Sequence, residues 1–213
     1  MRTIRKHREP PSLTQHRCTP HADYDNYGDK DILRGALVAE QRGLCCYCMS
    51  RIHPDSDSMK IAHWHSQDRH PSEQLDYGNL LGACPGNQGQ PRRSQHCDTR
   101  QGNDDISRNP ADPAHRVEAA IKYLSDGTIV SDDPEFNRNL SEVLNLNVAF
   151  LKRNRQGTLD GFKAWLARTR PGDWTRATIE KHLREWNGEC QPGDLKPFCQ
   201  VVVYYLRKRL ARM

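Results

Sequence analysis

The residues best suited to chemistry are the cysteine pair Cys45-x-x-Cys48 and two further cysteines, Cys84 and Cys97. Thiolates at Cys-x-x-Cys spacing can grip one tetrahedral zinc ion from a tight turn, with Cys46 between them expected to point elsewhere. The partner half is irregular. Loop 85–96, rich in Gly, Pro and Gln, reads as an insertion that leaves both flanking cysteines at the metal, because a flexible loop of that length closes at small entropic cost. His96 is an alternative ligand to Cys97. Two other readings compete: a Cys45–Cys48 redox pair, and four unrelated buried cysteines. A thioredoxin-like pair needs a strand before the motif and a helix after it, whereas here a helix precedes and a hairpin follows. Structural zinc is therefore the expectation.

The elements that must position these residues follow from periodicity. Residues 1–28 read as an arm, with Pro10-Pro11 expected to break any helix. Ile32, Leu33, Ala36 and Leu37 give an apolar stripe over a helix from Asp31 to Arg42, with Gly43 suited to its C-terminal cap. Met59 to His63 and Asn79 to Ala83 read as antiparallel strands. The polar stretch 66–78 between them reads as a connection outside the core, and a short helix is expected from Asp98. Val117 to Tyr123, the turn Ser125-Asp126-Gly127 and Thr128 to Val130 predict a second hairpin. Helices follow: one capped by Asp133 and carrying Phe136, Leu140, Val143 and Leu144; one from about Asn147, bent near Gly157, with Leu151, Leu159, Phe162, Trp165 and Leu166; one capped by Thr175, with Ile179, Leu183 and Trp186; and one from Pro197 to the basic end. The fold class is α+β, divided as 1–44 (arm and packing helix), 45–108 (zinc-containing core) and 109–213 (hairpin plus helical region).

The bulk composition narrows the class. The chain has 213 residues, enough for one good-sized domain or two small ones. It carries a formal charge of +5, from 32 Lys and Arg against 27 Asp and Glu, which suits a phosphate-bearing partner without requiring one. No apolar run approaches the ~20 residues of a membrane helix. The basic N-terminus lacks the apolar stretch of a secretory signal. The expectation is a cytoplasmic protein with reduced thiols.

Within the cysteine frame, His63, Asn79 and Asp98 occur in an order that resembles the HNH nuclease pattern, a hairpin and helix that hydrolyse phosphodiesters with one metal ion. Further stretches resemble the HNH nuclease subunit of Septu anti-phage systems and its retron-associated relatives. These are Arg8-Glu9-Pro10, Ser12-Leu13-Thr14, Gly43 to Cys48, Asp76 to Leu81, His96 to Thr99, Ser125 to Ile129 and Leu144 to Asn147. The resemblance implies a zinc-stapled ββα-metal (His-Me finger) core. It implies His63 as general base, Asn79 as the residue that braces the loop and orients that base, and Asp98 as catalytic metal ligand. Cys45, Cys48, Cys84 and Cys97 would be the structural zinc ligands, and Mg or Mn the catalytic ion. Phosphodiester hydrolysis needs an activated water and charge neutralisation at phosphorus, which a near-neutral histidine and a divalent ion supply. The resemblance also implies an ATPase partner of the ABC or SMC-like type, docked on the C-terminal helices. DNA is the expected substrate, with RNA open because such a core grips phosphate rather than reading bases. In retron relatives, a reverse transcriptase with its RNA–DNA product is added.

The chain departs from the pattern at two positions. The residue before the base histidine is commonly Asp or Glu and helps hold the metal, and here it is Ala62. Either His65 or another nearby group substitutes as ligand, or metal binding is weakened, or the residue was changed to make an inactive protein. Gln101 stands where related motifs often carry Lys. Two functional classes thus remain: an HNH endonuclease weakened at its metal, and a non-catalytic zinc-binding adaptor or nucleic-acid-binding subunit.

Overall fold

A computed structural model describes residues 1–169, 172 and 174–213. Its elements run α1 (Pro11–Arg17), α2 (Lys30–Glu40), β1 (Lys60–His63), β2 (Leu80–Ala83), α3 (Cys97–Gln101), α4 (Val117–Ala120), β3 (Lys122–Tyr123), β4 (Ile129–Val130), α5 (Pro134–Arg138), α6 (Ala149–Thr169), α7 (Arg176–Trp186) and α8 (Cys199–Leu210). Two small antiparallel sheets, β1–β2 and β3–β4, sit among helices, so the chain is mixed α+β. Among the described residues, no helix is long and apolar enough to cross a membrane.

The N-terminal segment is part of the body. Met1 and Ile4 are buried in the largest apolar cluster, and Leu13 and Tyr27 in a second one. Pro10-Pro11 does not prevent a helix: α1 starts at Pro11. A proline fits the first helical position, where its missing N–H would have no intrahelical partner. In α2, Leu33 and Leu37 face the core, but Ile32 is 55% exposed and lies off the buried stripe. Gln41 follows α2 and ties it to β2: its side-chain amide donates to the Gly82 carbonyl at 2.7 Å and accepts from Gly82 N–H at 2.6 Å.

β1 and β2 pair in register Lys60↔Ala83, Ala62↔Leu81 and His63↔Leu80. The connection between them is less polar in its packing than its composition suggests, because Leu75 and Tyr77 are buried with Leu13, Leu33 and Leu80. The stretch expected as the first strand of the second hairpin is mostly helical turn. Val117–Ala120 forms α4, and only Lys122–Tyr123 pairs with Ile129–Val130 around the Asp126-Gly127 turn.

The largest cluster joins Met1, Cys45, Leu81, Ile121, Phe136, Leu151 and Phe198, so all three stretches of the chain contribute to one core. A further cluster holds α6, α7 and α8 together through Leu159, Phe162, Leu166, Ile179, Val202 and Leu206. The α6 helix runs unbroken through Gly157 for 21 residues. One glycine costs a helix about 1 kcal/mol, less than burying the flanking apolar side chains returns. Trp165, expected in the buried stripe, is 40% exposed.

Candidate metal centre and catalytic groove

The Cys45–Cys48 knuckle is built by backbone hydrogen bonds. Cys45 N–H donates to Ser50 O at 2.9 Å and Met49 N–H to Cys45 O at 3.1 Å, while Cys46 N–H donates to Gly82 O at 2.9 Å and fixes the knuckle to β2. Met49 adopts a left-handed φ of 68°, closing the turn. Cys84 follows β2 directly, and Cys97 opens α3 with its own left-handed φ of 54°. A non-glycine residue in that region is strained, and here the strain brings its thiol to the other three. The intervening loop is closed firmly. His96 N–H donates to Gly86 O at 3.0 Å, and any Cβ at Gly86, whose φ is +59°, would collide with the His96 carbonyl oxygen.

The four sulfur atoms lie buried within 4.8 Å of one another, with Cys45–Cys97 at 3.8 Å and Cys48–Cys84 at 3.7 Å. Zinc–sulfur bonds of about 2.3 Å in a tetrahedron put sulfurs about 3.8 Å apart, so these residues fit a zinc ion. Cys46 is buried in the core and outside the set. His96 does not replace Cys97. Its Nδ1 lies 3.1 Å from Cys97 Sγ and 3.9 Å from Cys84 Sγ, placing it behind the ligands as a hydrogen-bonding neighbour. Burial pushes the Cys45 thiol up, but hydrogen bonds from neighbouring thiols, Cys46 first, reverse this and hold it well below the usual range. The Cys45 sulfur raises the Cys48 thiol, while Cys84 and Cys97 outweigh it and bring it down to about 6. Cys84 is pushed up, first by Cys45, and Cys97 by burial. Four adjacent thiols cannot all ionise unaided, and a divalent cation is the group that lets them.

His63 ends β1 and is buried. Its Nε2 lies 3.0 Å from the Gln74 carbonyl oxygen. A carbonyl only accepts, so Nε2 carries the proton in the neutral ring and Nδ1 is the basic nitrogen. Gln67 Nε2 approaches Nδ1 at 3.4 Å as a donor, in keeping with that tautomer. Burial lowers the His63 pKa below its ordinary 6.5, and the Gln74 hydrogen bond and the Asp98 charge oppose this. The imidazole is therefore neutral, in the state that can take a proton, at neutral pH. Tyr24 packs edge-on against it at 4.6 Å between ring centroids.

Asn79 is buried and fully engaged. Its Oδ1 accepts from His65 N–H at 2.8 Å, and its Nδ2 donates to His65 O at 3.0 Å and Glu73 O at 3.1 Å. One amide thus laces the start of the β1–β2 connection to its end, next to Gln74, which holds His63.

Asp98 lies in the first turn of α3 and is not its N-cap, a position His96 occupies. Its Oδ2 pairs with Lys60 Nζ at 3.1 Å, and the same ammonium donates to Thr99 Oγ1 at 3.2 Å. Side chains alternate along a strand, so Lys60 and Ala62 share the face of β1 turned to α3, and His63, the last residue of the strand, is close enough to feel the Asp98 charge. Ala62 is 0% exposed. Gln101 is buried too; its Nε2 donates to Trp64 O and Asp104 O, and its Oε1 has no partner. His65 does not join Asp98: its Nδ1 bonds Glu73 Oε2 at 2.8 Å. A hard divalent cation needs several oxygen ligands. Of the expected set only the Asp98 carboxylate is present, and an ammonium already neutralises it, so these residues do not fit a full Mg or Mn site.

Compared with known protein families and with curated proteins, the chain matches no family model and no curated sequence. Sequence reasoning did not find Lys60, Gln67, Tyr24 or the Gln74 carbonyl. None has a spacing signal; each is brought to His63 or Asp98 by tertiary packing alone.

Proposed function

We propose that this chain is an HNH-type endonuclease subunit of an anti-phage defence system, with a zinc-stapled ββα core and a weakened catalytic metal position. The observation that carries this reading is the His63 imidazole, held through Nε2 by the Gln74 carbonyl so that Nδ1 is the acceptor, on a connection laced together by Asn79. In this reading His63 Nδ1 takes the proton of the attacking water, the water oxygen bonds to phosphorus, and the P–O bond to the leaving alkoxide breaks. Asn79 is a positioning residue. Asp98 is the one carboxylate of the expected set, and it is paired with Lys60. Zinc at Cys45, Cys48, Cys84 and Cys97 is structural. The substrate is nucleic acid, DNA in the first instance and RNA otherwise. The partner is an ATPase of the ABC or SMC-like type in the cytoplasm, joined in retron-type systems by a reverse transcriptase with its RNA–DNA product.

A second reading, a non-catalytic zinc-stapled adaptor, is favoured by Ala62 together with the Lys60–Asp98 ion pair. The two separate in a cleavage assay on the complex with its ATPase and magnesium or manganese, comparing the native chain with Ala62→Glu. The nuclease reading expects the glutamate form to cut faster, by at least tenfold, and His63→Ala in that form to abolish cutting. Cleavage that survives His63→Ala removes His63 from the mechanism, and no cleavage by either chain supports the adaptor.

A further inference from the structure

The connection between β1 and β2 carries a second cluster of metal-binding side chains that the cysteine site and the groove at His63 do not use. One ligand atom each from His65, His70 and Glu73 lies within 4.8 Å of the others, and all three residues are half-buried. His65 Nδ1 and Glu73 Oε2 already meet at 2.8 Å. The His65 ring stacks on Trp64 at 3.7 Å and on His70 at 4.2 Å between centroids. Two flat neighbours on one ring occupy its two faces, so His65 is clamped and its rotation is restricted. Behind these side chains, Asn79 holds the backbone of both His65 and Glu73. Asp105 Oδ1 lies 3.3 Å from His70 Nε2, the carboxylate–histidine contact that orients imidazole ligands at metal centres.

We propose that His65, His70 and Glu73 form a second metal site, separate from the cysteine cluster, that takes a first-row divalent transition-metal ion such as zinc. Two imidazoles and one carboxylate select this class. Magnesium and calcium prefer all-oxygen sites, whereas imidazole suits zinc and its neighbours. Metal–ligand bonds of about 2.0–2.1 Å place tetrahedral ligand atoms about 3.4 Å apart, and the His65 and His70 rings lie stacked with 21° between their planes, so closure needs the His70 ring to turn its lone pair toward the ion as well as approach. Three protein ligands leave a coordination position open to water or a substrate oxygen. The buried Asn79 then has a second consequence: it fixes two of the three ligands through their backbones and leaves His70 as the one that moves on metal binding.

The site stands whether or not the chain cuts nucleic acid, and its test counts metal without reading activity. The full chain, free of any polyhistidine tag, is loaded with excess zinc and desalted, and zinc per chain is measured. Two equivalents are expected for the native chain, and one for His70→Ala and for Glu73→Gln. Cobalt substitution supplies the control. The thiolate-to-cobalt absorption reports the cysteine site and is expected at full strength in both variants, which locates the lost equivalent at the histidine cluster and shows that the variants fold. One equivalent in the native chain, or two retained by both folded variants, overturns the proposal.

Discussion

The cysteine cluster and the buried His63 lie on the same hairpin, and the two differ in how many metal-binding side chains surround them. At the cysteines every ligand is present, buried and at tetrahedral spacing, and even the strained backbone of Cys97 serves the cluster. At His63 the imidazole is held through Nε2 by the Gln74 carbonyl, and Asn79 laces the connection beside it. The face of β1 turned to α3 offers an alanine and a lysine, and the lysine ammonium rests on the one remaining carboxylate. Four buried cysteines close together could hold a zinc ion, whereas the face of β1 turned to α3 meets a single carboxylate that an ammonium already pairs. A structural zinc contributes to folding directly, so with zinc at these four cysteines the loss of one is expected to destabilise the fold. Ala62 is fully buried and packs in the core.

Substitutions can break or sharpen this contrast. The largest effect is expected from Cys45→Ser, which removes a zinc ligand. Stability should fall by at least about 5 kcal/mol, and zinc content after dialysis should drop with it. A well-folded, zinc-free variant would make the cysteines ordinary core residues. Next is Ala62→Glu, which places a carboxylate at a fully buried position. In the absence of added metal a loss of about 3 kcal/mol is expected, seen as a melting temperature lower by roughly 6–12 °C. Asn79→Ala should cost about 2 kcal/mol, because it strands the His65 N–H and two carbonyls, and proteolysis should then nick the 64–78 connection sooner. Lys60→Met should change stability by less than about 1 kcal/mol, since its ion pair with Asp98 is partly solvated.

The sign of the pH response also separates the two regions. Burial holds the folded-state pKa of His63 below its ordinary 6.5. The unfolded chain therefore takes up this proton first as pH falls. The stability owed to the neutral ring is fully present above pH 6.5 and is lost as pH falls through the folded pKa. Chemical denaturation of the zinc-loaded chain from pH 7.5 to 5.5 should show that loss, and His63→Gln should show less of it. Equal acid sensitivity in the two chains would place the effect elsewhere, with the thiolates the first group to test.

Much of this architecture was legible in the residues, and where it was not the reasons are physical. Ligand chemistry sets the Cys45-x-x-Cys48 spacing directly, and the Asp126-Gly127 turn marks the second hairpin locally. The helix starting at Pro11 was hidden because the same proline that breaks a helix interior suits its first turn. Residues 117–120 are apolar enough for a strand, but only two residues pair across the Asp126-Gly127 turn and the rest coil into α4. Leu75 and Tyr77 were obscured by their polar neighbours and are buried by the N-terminal segment, which has no periodicity of its own. At the groove, the order His63, Asn79, Asp98 was readable. Their partners were not: Gln74 acts through a backbone carbonyl, which no sequence pattern encodes. Lys60 reaches Asp98 only because alternate residues of β1 share a face. His70 and Glu73 meet His65 because Asn79 closes the connection that holds all three.

The proposed nuclease site would lack one acidic ligand at residue 62, and manganese binding there can be read without an activating trigger. Zinc-saturated native chain, Ala62→Glu and Ala62→Glu/Asp98→Asn are each titrated with Mn²⁺ and free ion is followed by electron paramagnetic resonance. A new site in Ala62→Glu, at least tenfold tighter than any in the native chain and abolished by Asp98→Asn, is the predicted result. Binding that is the same in all three chains would contradict the account, because residue 62 and Asp98 would then not face a common ion.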